Sequence, residues 1–225
     1  MKFTLRARTM VEFAGTAFLL MAVVGSGVMA ERLAGGNVAL ALLANSIATG
    51  AALVALILAL GPISGAHFNP AVTLVDAMQG GIAWTEVPFY IAMQITGAFG
   101  GVAVAHLMFG LPIFFASHHA RSGRAQIGSE FVATFGLLAV IWGCARVHSQ
   151  VVAFAVGAYI AAAYWFTSST SFANPAVTLA RAASDTFAGI RPADVSPFIA
   201  SQFAAALAAA LCFRWLAQQV KPETK

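Results

Sequence analysis

The stretches HFNPAVTLV, residues 67–75, and FANPAVTLAR, residues 172–181, place the same Asn-Pro-Ala-Val-Thr-Leu run twice in one chain. Asparagine is among the best helix N-caps, and proline at the first helical position forfeits no hydrogen bond, because that N–H has no intrahelical partner. Asn69, Pro70 and Ala71, and again Asn174, Pro175 and Ala176, therefore read as helix starts. The moderately apolar run behind each is roughly ten residues long, about half of what a bilayer crossing needs. If each asparagine oxygen caps its own helix, the amide NH2 is free to donate to whatever lies in front.

The chain around these runs is strongly apolar. Of its 225 residues 60% are hydrophobic and 9% charged, whereas soluble domains have roughly a quarter of their residues charged. This is the composition of a membrane protein with no room for a separate soluble domain. The net charge of +4 is modest and its basic residues sit mostly at the ends and in loops, which argues against nucleic acid as a partner. Six long apolar segments stand at about 10–30, 38–60, 85–110, 127–146, 150–167 and 195–219. The first runs on to about Ala30, carries Glu12 near its start and lacks a small-residue cleavage site, so it reads as a retained helix and not a leader. Cys144 and Cys212 have no metal-like spacing, and no phosphate-binding loop, glycosylation acceptor or lipidation signal is present. No metal or cofactor is expected.

The duplication extends beyond the two asparagine runs. EFAGT at 12–16 matches EFVAT at 130–134, and YIAMQITGA at 90–98 matches FIASQFAAA at 198–206. The chain thus divides into halves, 1–120 and 121–225, each of three helices and one half-helix. An odd number of crossings per half makes the second enter from the opposite face, so the repeats are inverted. The expected fold class is an all-α membrane protein: six transmembrane helices and two re-entrant half-helices that meet near the midplane. Six crossings put both termini on one side. Placed in the cytoplasm, that side has Lys2, Arg6, Arg8, Arg146, Arg214, Lys221 and Lys225, against Arg32, Arg121, Arg124, Arg181 and Arg191 outside, seven to five.

Irregular backbone at membrane depth is tolerated only where protein buries it or a watery cavity adjoins it. Each half-helix presents about half a positive charge at its N-terminus. A passage at their junction admits neutral hydrogen-bonding molecules and opposes cations.

SGAHFNPAVTL at 64–74, the second Asn-Pro-Ala at 174–176, and the paired Glu and Gln helices resemble the major intrinsic proteins, the aquaporins and aquaglyceroporins. The resemblance covers nearly the whole chain. It implies an hourglass of six helices with two re-entrant half-helices, a homotetramer in the bilayer, and passage of small neutral solutes. It also implies that Glu12 and Glu130 support the re-entrant loops, with His67 in the same network, while Gln94 and Gln202 brace helix interfaces. Most family members have an arginine directly after the second Asn-Pro-Ala, as part of an outer filter. Here Val177 stands there. Carried over by the family's spacing, the remaining filter positions are Thr49, Ala162 and Ser171. Such a filter is wider than water requires and lacks the guanidinium's five donors. Water, glycerol, undissociated arsenite and methylated arsenicals become candidate passengers, and bacterial members with this valine resemble a subgroup linked to arsenic resistance. The family's glycerol channels usually have Asp after the arginine, where this chain has Thr178. Arg181, a turn beyond Val177 and about 6 Å farther out, either lends charge to the outer vestibule or reaches to solvent.

Other classes fit less of the chain. A serine protease would have to pair Ser26 or Ser64 with His106, and would leave the duplicated half-helices unexplained. A coupled transporter or ion channel is the further alternative; it usually has more spans and an acidic or cation-coordinating centre. Glycines in GSG at 25–27 and at Gly97 and Gly101 suit close helix packing. The SHHARSGR loop at 117–124 reads as solvated surface more readily than as a metal site.

Overall fold

The computed structural model describes residues 3–147 and 151–219, so Lys2, Lys221 and Lys225 of the charge count lie outside the described residues. Among the described residues there are eight helices and no strand. They are α1 (Leu5–Leu33), α2 (Val38–Ser64), α3 (Pro70–Met78), α4 (Val87–Met108), α5 (Arg124–Val147), α6 (Val152–Phe166), α7 (Pro175–Arg181) and α8 (Pro192–Gln218). Each of the six apolar segments contains a long or medium helix, and the two asparagine runs open the short helices α3 and α7. Five helices are long and apolar enough to cross a membrane, whereas α6 has 15 residues and rises only about 22 Å.

The helix ends follow from local chemistry. Thr4 caps α1 by accepting from the Ala7 amide at 3.2 Å, and Asn37 caps α2 by accepting from Leu40 at 3.1 Å. Gly65, at φ 93°, closes α2 in the left-handed conformation that glycine adopts without strain. The chain then turns inward to Asn69 and returns to the same face along α3.

Helix α1 packs between α4 and α2, α2 lies on α6, and α5 pairs with α8. Small residues permit these approaches. A Cβ on Gly101 would lie 2.2 Å from the Ala17 carbonyl oxygen, and one on Gly50 would lie 2.7 Å from the Gly157 oxygen. Outward faces carry Phe18, Ile47, Leu58, Leu107, Phe154 and Trp215, all exposed; this apolar belt is solvated by acyl chains, not by water. The inner faces hold an unusual number of buried polar groups, and these define the site.

Candidate functional site

Each half-helix begins as its sequence dictates. The Asn69 side-chain oxygen accepts from the Ala71 amide at 2.9 Å, and that of Asn174 accepts from Ala176 and Val177 at 3.0 and 3.3 Å. The amides are not wholly free, however. Asn69 Nδ2 donates to the Ala173 carbonyl and Asn174 Nδ2 to the Phe68 carbonyl, both at 2.7 Å. Each asparagine thereby ties the opposite re-entrant loop, and one of its two amide hydrogens is left for a solute. Both asparagines line the central cavity, while Pro70, Ala71, Pro175 and Ala176 are buried and hold the half-helices in place.

The loops before the asparagines are strained in the same way in both halves. Ala66 and Phe68 have φ of 50° and 48°, and Ser171 and Ala173 have 50° and 48°; the left-handed region costs roughly 1–2 kcal/mol per non-glycine residue. Buried carboxylates offset that cost. Glu12 Oε1 accepts from the Ser64 hydroxyl and the His67 amide, and its Oε2 accepts from the Phe68 amide and Gln94 Nε2, at 2.6–3.0 Å. Glu130 accepts from the Phe172 and Ala173 amides and from Gln202 Nε2, at 2.6–2.9 Å. Gln94 and Gln202 also donate to Thr73 and Thr178, at 2.9 and 2.8 Å, joining α4 and α8 to the half-helices. His67 joins the network through its amide, with its ring 3.1 Å from Thr73 and 3.5 Å from Asp76.

One cavity of about 1190 Å³ runs past the asparagines. On the side of the N-terminus its wall includes Arg8, His67, Asp76 and Arg146; beyond the asparagines it includes Thr49, Ser171, Val177 and Arg181. Three of the four expected filter residues therefore share the cavity wall. Ala162 does not: it lies on the exposed face of α6. The cavity-facing line of that helix is Val156, Ile160 and Tyr164, spaced by one turn. Spacing carried over from the family missed Tyr164, which stands two positions beyond Ala162 on the same helix and on the cavity wall. Its hydroxyl lies 3.2 Å from Thr49 Oγ1. An aromatic ring thus stands on the cavity wall beside Thr49, one of the expected filter positions.

Arg181 does not reach solvent. It is 2% exposed, and its guanidinium carbon lies 3.4 Å from the centroid of Phe172. The 117–124 loop is likewise only partly solvated: exposed His118 pairs with Asp185 at 2.9 Å, but Arg121 is buried and caps loop carbonyls. The residues of the protease alternative are separately engaged, Ser64 with Glu12, Ser26 with Asn45, and His106 with Ser184.

Two inverted half-helices, capped by asparagines, cross-tied at their tips and opening on one cavity, agree with a match of residues 1–150 to the family model described as Major intrinsic protein. The chain belongs to the major intrinsic protein family. It is a multi-pass membrane protein of a channel family, not an enzyme. Aquaglyceroporin AqpS of Rhizobium meliloti (strain 1021) is 51% identical over 98% of this chain and 94% of its own length. Aquaporin NIP1-3 of Oryza sativa subsp. japonica is 34% identical over 76% of this chain, which spans 62% of that protein. The X-ray structure of the aquaglyceroporin from Plasmodium falciparum covers 96% of this chain with a TM-score of 0.66 at 20% identity, a likeness of fold.

Proposed function

We propose that this protein is a passive channel for small uncharged solutes: glycerol-sized polyols and metalloid hydroxides such as undissociated arsenite, with methylated arsenicals and some water. The observation that carries this reading is Val177 on the cavity wall, one helical turn from Asn174, where an alkyl group stands in place of a guanidinium. With Thr49 and Tyr164 it gives the passage a neutral wall of mixed polarity, suited to solutes with both hydroxyls and a less polar face. The name of the relative AqpS supports passage of glycerol-sized solutes. Thr178 is buried and engaged with Asn174 and Gln202, so it does not reproduce the acid found at this position in glycerol channels.

A homotetramer in a bacterial inner membrane, with both termini cytoplasmic, accords with the exposed apolar belt and the charge distribution. The seven-to-five count of basic residues favours the side of the termini as the cytoplasmic one.

Stopped-flow swelling of liposomes holding the purified protein tests the reading. Wild type passes glycerol and arsenite, and Val177→Arg suppresses both by about tenfold or more while sparing water. Passage of water alone by the wild type would leave a water-selective aquaporin, the alternative reading. Equal glycerol and arsenite flux in Val177→Arg would remove Val177 from the filter.

A further inference from the structure

Two buried arginines meet at Phe172, and their hydrogen bonding differs. Arg121 has its guanidinium carbon 5.0 Å from the ring centroid, and its nitrogens donate to the carbonyls of Gly189, Ser169 and Phe187 and to the Thr170 hydroxyl. It does not line the cavity. Arg181 does line it. Its Nε donates to the Ala188 carbonyl and its guanidinium carbon lies over the Phe172 ring, which itself packs edge-on against Phe198 at 5.5 Å. Among the described residues, neither terminal nitrogen of Arg181 has a hydrogen-bond acceptor and no carboxylate pairs with it.

A guanidinium nearly closed off from bulk solvent, fixed by an adjoining ring and one carbonyl, with its two terminal NH2 groups unpaired beside a cavity, is a pre-organised pair of donors. The other arginines of the wall, Arg8 and Arg146, are on the side of the N-terminus, and Arg8 is paired with Glu86. Beyond the asparagines, Arg181 is the charged residue of the described wall.

We propose that Arg181 reads solute oxygens in the outer part of the channel: its terminal nitrogens bind two neighbouring acceptor oxygens of a polyol or hydroxide, and its charge turns cations away. The inference rests on the channel reading above and specifies which group recognises the passenger. Donor and narrow point are then separated by one helical turn, with the solute held by its oxygens at Arg181 before its less polar face slides past Val177. Water, a single small acceptor, gains little from the paired donors.

Proteoliposomes of wild type, Arg181→Gln and Arg181→Lys test this with water, glycerol and methylammonium. In Arg181→Gln the glycerol-to-water permeability ratio falls about tenfold and methylammonium begins to leak. Arg181→Lys keeps the charge but not the planar fork, so it excludes methylammonium while its glycerol-to-water ratio falls. A ratio within twofold of wild type in Arg181→Lys, or in both variants, overturns the proposal. Loss of water flux in both variants would likewise overturn it and assign Arg181 to packing alone. A wild type that passes water but no glycerol would instead sink the channel's proposed solute class, whatever the variants do.

Discussion

Glu12 and Glu130 face their loops with oxygens alone, and every group pointing at them is a donor. A glutamine in either place would set an NH2 against amide hydrogens, leaving a buried donor unpaired and another opposed. Glu12→Gln should cost roughly 2–4 kcal/mol of stability, and Glu130→Gln somewhat less, since Glu12 takes four donors and Glu130 three. Thermal unfolding in detergent would show it; an unchanged midpoint would mean that the asparagine ties hold the loops unaided. The supporting roles of these acids, and the caps at Asn69 and Asn174, were legible because a carboxylate in an apolar helix and an Asn-Pro pair have few physical uses. Tyr164 was not, since a spacing counted back from Asn174 fixes a position on α6 without showing which face of that helix meets the cavity. The turn-spaced line of Val156, Ile160 and Tyr164 was the available signal. Tyr164→Phe removes the hydroxyl that meets Thr49 and should cost about 1 kcal/mol, while changing the glycerol-to-water ratio by roughly twofold. A ratio left unmoved would put the ring outside the constriction.

Helices approach closely where glycine allows it, and two glycines differ in what would oppose a side chain. At Gly101 the obstacle is the backbone carbonyl of Ala17 on α1, which cannot rotate away. Gly101→Val should force α1 and α4 apart and destabilise the protein by about 3 kcal/mol or more. Gly128, on α5, has nothing within 4 Å of the place a Cβ would take, so Gly128→Ala should be neutral or gain roughly 0.5–1 kcal/mol from helix propensity. Comparing folded yield and melting temperature of the two variants checks both signs; equal destabilisation would show that propensity, not contact, governs these sites. The elements themselves were legible as apolar runs, but their ends were not. Helix α1 begins at Leu5 and ends at Leu33, outside the apolar stretch, because Thr4 caps it and its terminal arginines continue the helix beyond the hydrocarbon layer.

At the scale of the whole molecule, inversion sets the electrostatics. The duplicated motif announced two half-helices entering from opposite faces, yet the ties that join them, Asn69 to Ala173 and Asn174 to Phe68, exist only once the halves are packed. Those ties hold both helix N-termini at one point, so about half a positive charge from each faces the same passage. In the proposed reading, a neutral solute exchanges water for the remaining asparagine donors. A cation meets both helix ends there, and the acids beside them, Glu12 and Glu130, are wholly buried and engaged with loop amides, so among the described residues none reaches the passage at that point to offset the cation's lost hydration. In the channel reading the same field opposes hydronium. Liposomes with an imposed pH gradient should therefore hold it as long as protein-free liposomes do while glycerol equilibrates through the channel. Gradient collapse in step with glycerol flux would mean that the two helix ends do not face the path that solutes take. Asn174→Asp gives the converse arm, since it replaces the donor to Phe68 with a carboxylate and should admit cations that wild type excludes.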